Sequence, residues 1–214
     1  MDHGVINARP IHFNHENPAM STTAQPRLFG EHFLLALTAD ERATLERMRA
    51  LCRDQFGPKA AEVARQDTFA WDTFRTLARE GIVATAFPRD YGGSDARQVL
   101  RTRLIEEAAR VCSTTASLIT GTDLSTRAIV AGGSEALKRE IVPRLLTGEL
   151  QSAFGLTEPG AGSDVRGLRT TFRREGDGYV INGRKKFITR ASTADWMVIV
   201  GRREDDAGTF MAAL

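Results

Sequence analysis

One stretch of this sequence concentrates residue types that do chemistry: Phe154-Gly-Leu-Thr-Glu-Pro-Gly-Ala-Gly-Ser-Asp164. Pro159 fixes one backbone dihedral, and Gly160 and Gly162 permit left-handed or crowded backbone. Such a bend can aim several N–H groups at an anion, and Ser163 adds a hydroxyl. No lysine follows where a P-loop needs one, and Val165 stands where the last glycine of GxGxxG belongs. On spacing alone the stretch reads as a structural turn. Glu158 and Asp164 place two carboxylates in one loop, a combination that acid–base catalysis uses. No spacing fixes their separation, so they are assigned structural roles, ion pairing or capping.

Other reactive groups are sparse. The four histidines, His3, His12, His15 and His32, all lie in the first 32 residues. The body of the chain therefore has no histidine base, triad or zinc site, and the His3, His12, His15 cluster binds metal adventitiously at most. Cys52 and Cys112 sit in apolar helical stretches without CxxC spacing. They read as buried free thiols in a reducing, cytoplasmic compartment. The 29 basic and 27 acidic residues leave a net charge of +2, which argues against a nucleic-acid partner. The basic pairs Arg173–Arg174, Lys185–Lys186 and Arg202–Arg203 alternate with acids and read as solvated surface. No run approaches the roughly 18 apolar residues of a membrane span. With 42% hydrophobic and 26% charged residues the composition is that of a globular protein.

The elements that must position these groups come in two textures. Residues 1–37 read as a disordered tail without the apolar core of a secretory signal. Residues 38–150 read as a helical domain. It opens on the capping box Thr38-Ala-Asp-Glu41 and continues with Leu45, Met48, Leu51 and Cys52 at helical spacing. A break or kink is expected at Pro58, with more helix to about Ala64. A helix over 72–80 turns Phe74 and Leu77 inward and stops at Gly81, and an irregular crossing follows over 82–93. Further helices are expected over 96–111, with Glu107 at the surface, over 113–131, and from the cap Ser134 to Gly148. After Gly148 the period falls to 2. Strands are expected over 151–156, 168–174, 179–181, 185–189, 194–201 and 209–214, with a turn at Gly176-Asp-Gly178. Asn182–Gly183 is the strongest hairpin signal. The fold class is α+β: an N-terminal helical bundle followed by an incomplete antiparallel β domain over 151–214.

The glycine-rich stretch resembles the signature of acyl-CoA dehydrogenases nearly residue for residue. Phe87-Pro-Arg-Asp-Tyr-Gly-Gly93 is similar to the family's Pro-x-x-Tyr-Gly-Gly crossing. Residues 133–149 are similar to the helix before the signature, and residues 177–189 to the hairpin after it. The resemblance covers about residues 38–214, in the family's order and spacing. It implies an FAD site in which Phe154, Leu156 and Thr157 lie against the flavin ring. Ser163 would sit between the flavin phosphates and the acyl-CoA. Phe187, Ile188 and Thr189 match the family's Trp/Phe-Ile-Thr element, with the ring beside the flavin and the hydroxyl near its reactive edge.

The resemblance also implies the activity: α,β-desaturation of an acyl-CoA or acyl-carrier thioester. Electrons would pass to an acceptor flavoprotein or another acceptor, and the chain would work in a homo-oligomer or with a companion subunit. The family's catalytic base is usually a glutamate of a C-terminal helical domain outside these 214 residues. No residue here is assigned that role, and the chain is expected to be truncated and inactive alone. Two other readings stand beside it: a flavin oxidase or monooxygenase on the same fold, or a non-catalytic subunit docking on a complete partner.

Overall fold

The computed structural model describes residues 9–11, 37–66, 68–205 and 209–213. The four histidines and most of the expected tail lie outside these residues. The described residues form two compact units, one within 14–119 and one joining residues 9–11 to 120–214.

In the first unit Thr38 caps helix α1 (Ala39–Leu51) as its sequence predicts. The Thr38 hydroxyl accepts from Glu41 N at 3.2 Å, and the Glu41 carboxylate accepts from Thr38 N at 2.8 Å. Leu45, Met48 and Leu51 are buried. The break or kink expected at Pro58 takes the form of a widened π-turn just before it, over Cys52–Phe56, in which Gly57 N reaches back to Cys52 O. The chain then runs on as α2 (Gly57–Arg65), with Pro58 in its first turn. Proline fits there because the first turn has few helical N–H bonds to lose.

Helix α3 (Trp71–Arg79) turns Phe74 and Leu77 fully inward, and Gly81, at φ +70°, ends it. The 82–93 crossing follows, with a short 3-10 turn over Arg89–Tyr91. Helix α4 (Gln98–Val111) buries Leu100, Leu104 and Ala108. Glu107 is a correction: it is buried, not at the surface. Arg49 donates to its carboxylate at 2.9 Å, with Arg103 and Arg110 within 4.0 and 3.9 Å. These three cations make its burial tolerable. Cys52 and Cys112 are both free and buried.

Helix α5 (Ser113–Gly132) starts in this unit and continues into the second. There α6 (Glu135–Leu146), capped by the Ser134 hydroxyl, buries Leu137, Ile141, Val142, Leu145 and Leu146. Gly148, at φ +77°, turns the chain toward the sheet.

The strands are β1 (Arg9–Ile11), β2 (Ser152–Gly155), β3 (Thr171–Glu175), β4 (Gly178–Asn182), β5 (Trp196–Arg203) and β6 (Thr209–Ala213). Their order is β1-β6-β5-β3-β4, with β2 also on β5. The helices-then-sheet architecture is as expected, but the sheet is mixed rather than antiparallel. Both β2 and β3 run parallel to β5, β2 along Trp196–Ile199 and β3 at Arg202 and Arg203. Parallel partners need long crossovers. The segments after β2 and before β5 supply them, and they carry the motifs.

Three further expectations change. The turn expected at Gly176-Asp-Gly178 does form, as the tight β3–β4 hairpin with Gly176 at φ +59°, but no hairpin forms at Asn182–Gly183. Residues 185–189 are not a strand. Gly183 lies against Thr170, where a Cβ would come within 2.7 Å of the Thr170 Cα, and residues 183–188 run on without strand structure. And residues 9–11, within the expected tail, pair with β6 in register Arg9↔Ala213 to Ile11↔Met211. This covers an edge that would otherwise present unpaired N–H and C=O groups.

Side chains alternate across the sheet. Phe172 and Tyr179 are buried in one cluster with Ile181 and Ile199, and Val200 joins Ala161 and Leu168 in another.

Candidate functional site

Strand β2 ends at Gly155 and delivers the glycine-rich stretch. Phe154 and Leu156 are partly buried against Ala161, Leu168 and Val200. Glu158 and Ala161 exchange backbone hydrogen bonds of 2.9 and 3.2 Å, which closes a tight loop around Pro159 and Gly160. Gly160 and Gly162 are exposed, and a Cβ on either would meet nothing within 4 Å. Neither has a positive φ. These glycines bare the loop's backbone rather than permit a left-handed turn. Ser163 is exposed beside them. The Asp164 carboxylate accepts from Arg166 N at 3.1 Å and caps a short 3-10 turn over Val165–Gly167, the capping role expected of it.

Glu158 takes the expected ion-pairing role and is the fixed point of the loop. Its carboxylate, in a residue 6% exposed, accepts from Arg169 N at 2.7 Å and from Thr170 N at 3.0 Å. It also accepts from the Thr170 hydroxyl at 2.5 Å and from Lys185 Nζ at 2.8 Å. Lys185 Nζ donates as well to Leu156 O at 2.9 Å. Burial pushes the carboxyl up, but the Lys185 and Thr170 side chains and the two backbone N–H groups outweigh it and hold the pKa at about 2. A carboxylate so fully engaged is a weak proton acceptor at neutral pH, so Glu158 is a clamp and not a base.

The same clamp meets the second motif. Lys186 N donates to Thr157 O at 2.8 Å, which ties the residue before Phe187 to the first motif just after strand β2. Phe187 is 79% exposed at φ +57°, and the Lys186 ammonium lies 4.3 Å from its ring centroid. Ile188 is half-buried and Thr189 exposed. The structure thus ties Leu156 and Thr157 to the residues just before Phe187; among the described residues no hydrogen bond joins Ser163 to Leu156, Thr157 or Phe187.

Sequence reasoning missed Lys185, which it grouped with surface charge. The side chain is only 9% exposed, because its partner Glu158 lies 27 residues away. It also missed Arg190, whose guanidinium donates to Thr122 Oγ1 at 3.0 Å and to Gln151 Oε1 at 3.2 Å. No local pattern announces either residue.

Glu41 has a comparable setting in the first unit. The Arg97 side chain, helped by the Thr38 and Arg97 backbone N–H groups and opposed by burial, holds it at about 2. Both carboxyls titrate lower in the folded than in the unfolded chain. Their stabilisation is therefore fully present above about pH 4.5 and is lost as pH falls toward 2. Thermal melts are expected to show a level Tm down to about pH 4.5 and a steep decline below it. A Tm that stays level to pH 3 would contradict these assignments.

Comparison with known proteins gives the same answer along both units. Residues 38–149 match the family described as "Acyl-CoA dehydrogenase, N-terminal domain", and residues 153–214 match "Acyl-CoA dehydrogenase, middle domain". The chain is 34% identical over 175 residues to the cyclohex-1-ene-1-carbonyl-CoA dehydrogenase of Geobacter metallireducens, covering 81% of this chain and 46% of that one. It is 32% identical over 174 residues to the short-chain-specific acyl-CoA dehydrogenase of Clostridium acetobutylicum, with the same coverages of 81% and 46%. Among solved structures, a glutaryl-CoA dehydrogenase of Mycobacterium smegmatis in complex with FADH2 superposes with a TM-score of 0.77 at 27% identity, over 83% of this chain and 46% of that one. The chain spans about half the length of the curated relatives it matches.

Proposed function

This chain belongs to the acyl-CoA dehydrogenase family, and from that premise we propose that it forms the flavin-binding and thioester-binding wall of an FAD-dependent oxidoreductase acting on an acyl thioester. The observation that carries the reading is the hydrogen bond from Lys186 N to Thr157 O, which holds the two motif segments side by side. Around it the donor set fits FAD. Phe187 offers an exposed ring for a flat conjugated system, and Thr157 and Thr189 offer hydroxyls at its margin. The bare backbone of Gly160 and Gly162 and the exposed Ser163 suit phosphate oxygens.

Bound FAD would supply a hydride acceptor for the oxidation of the acyl chain to its α,β-enoyl form. In this proposal Phe154, Leu156, Thr157, Phe187, Ile188 and Thr189 hold and orient the flavin ring, and Ser163 stands between its phosphates and the thioester. Asp164 and Glu158 shape the loop and move no proton. No residue of these 214 is proposed as the base. The cofactor assignment is supported by the FADH2-bound neighbour and the thioester class by the names of the relatives.

We further propose an electron-accepting flavoprotein as redox partner, a homo-oligomer or companion subunit, and a cytoplasmic setting. The setting is supported by the two buried thiols. Among the described residues no helix is long and apolar enough to cross a membrane.

The test is the visible absorbance of the purified chain with added FAD, titrated anaerobically with butanoyl-CoA. The expected result is a shifted flavin band that the thioester shifts again, with Phe187→Ala weakening FAD binding about tenfold. A flavin band identical with and without the chain would overturn the proposal.

A further inference from the structure

We infer that Arg190 is a positioning residue: its guanidinium, seated on Gly121 of α5, holds the 187–190 turn in the conformation that presents Phe187 and Thr189. The inference rests on the proposed flavin site, since it concerns the backbone that carries two of its contacts.

The turn needs an external hold. Phe187 and Arg190, at φ +57° and +67°, are both non-glycine residues in the left-handed region, and they bracket the strip. Such conformations persist only where surrounding structure over-determines them. The strip buries little to hold itself, because Phe187 and Thr189 are exposed. Its own turn bonds are Ala191 N to Ile188 O at 3.3 Å and Thr193 N to Arg190 O at 3.0 Å. The Arg190 guanidinium ties it to the rest of the unit: Nη1 donates to both Thr122 on α5 and Gln151 before β2. Its plane also lies against Gly121, with Nη2, Cζ and Nε the atoms nearest to where a Cβ would stand.

Two further features separate this anchor from an incidental contact. Both acceptors are neutral oxygens, so burial lowers the Arg190 pKa to about 10 with no carboxylate to offset it. A buried cation with neutral partners is a poor stability device; what it provides is placement. In addition, α5 is a 20-residue helix with a glycine inside it at the point of contact. A Cβ on Gly121 would stand 2.8 Å from Arg190 Cζ and overlap Nη2. Glycine weakens a helix interior relative to alanine, and here its missing side chain is the seat of the guanidinium.

A double-mutant cycle on the 214-residue chain, read by thermal melting and by NMR of the Phe187–Thr189 amides, tests the inference. Gly121→Ala is expected to leave the Tm level or lower it when Arg190 is present, because the methyl group displaces the guanidinium and offsets the helix gain. In the Arg190→Ala background it is expected to raise the Tm by about 3 °C, the ordinary gain of alanine in a helix. Each single variant should shift the Phe187–Thr189 amide resonances while the β3–β4 resonances stay in place. In parallel, Arg190→Ala should weaken FAD binding about tenfold. An equal effect of Gly121→Ala in both backgrounds, or unmoved Phe187–Thr189 resonances in Arg190→Ala, would overturn the inference. Loss of FAD binding by the unmutated chain would instead overturn the proposed function, and the resonances would still decide the role of Arg190.

Discussion

Glu158→Gln is expected to cost about 3–4 kcal/mol of stability, a larger effect than any exposed charge change in this chain should produce. The amide keeps the shape of the carboxylate but not its charge, so the buried Lys185 ammonium loses its counter-ion. The Thr170 and Arg169 donors lose the stronger of two acceptor types at the same time. Urea denaturation of the purified variant measures the loss. Lys185→Met should also destabilise, since it removes the donor to both Glu158 and Leu156 O. The double variant, Glu158→Gln with Lys185→Met, should be more stable than the sum of the singles predicts, because it leaves no unpaired charge. The steep decline of Tm below pH 4.5 should flatten in Glu158→Gln, as one of the two low-titrating carboxyls is gone. A single variant within 1 kcal/mol of the parent would show that the pair does not hold the loop.

Gly93→Ala should cost about 3 kcal/mol or prevent folding, although it adds one methyl group. Gly92 and Gly93 are adjacent and chemically identical, yet they are glycines for different reasons. Gly92 sits at φ +88°, which a side chain adopts only with strain. A Cβ there would meet nothing within 4 Å, so Gly92→Ala carries only the backbone cost of about 1 kcal/mol. Gly93 has no positive φ, but a Cβ on it would overlap the Phe87 carbonyl and stand 2.9 Å from the Phe87 Cα. The Phe87 side chain is 1% exposed, and Asp95 N donates to its carbonyl at 3.0 Å. That backbone has nowhere to move, so the methyl group must distort the 82–93 crossing. Comparative urea denaturation of the two alanine variants checks the ordering. A Gly93→Ala loss no larger than that of Gly92→Ala would refute the close-packing account.

The clamp and the crossing also show what could be read from the sequence of the site. The two segments, 154–164 and 187–189, stood out by composition and by resemblance, and the structure ties them together at Thr157 and Lys186. The residues that do the tying did not stand out. Lys185 looked like one of several basic pairs, and Arg190 like one arginine among many. Each becomes distinctive only when a partner many positions away is known: Glu158 for Lys185, and Thr122, Gln151 and Gly121 for Arg190.

By itself the sequence determined what depends on a few consecutive residues. Thr38 and Ser134 marked helix starts through hydroxyls that reach their own first turn. Gly81 and Gly148 marked reversals through their left-handed dihedrals. The alternation around Val198 and Val200 marked a strand with buried positions two residues apart. Tertiary structure alone decided which strands pair and in which direction. β5 takes Ser152–Gly155 and Thr171–Phe172 as parallel partners, a choice set by crossovers and side-chain packing rather than by any residue's own preference. It also overruled Asn182–Gly183, a strong local turn signal, because Gly183 lies against Thr170. And it buried Glu107, Lys185 and Arg190. A charge leaves water where distant chain supplies hydrogen bonds, and for Glu107 and Lys185 counter-charge as well, and that supply is not written beside the residue.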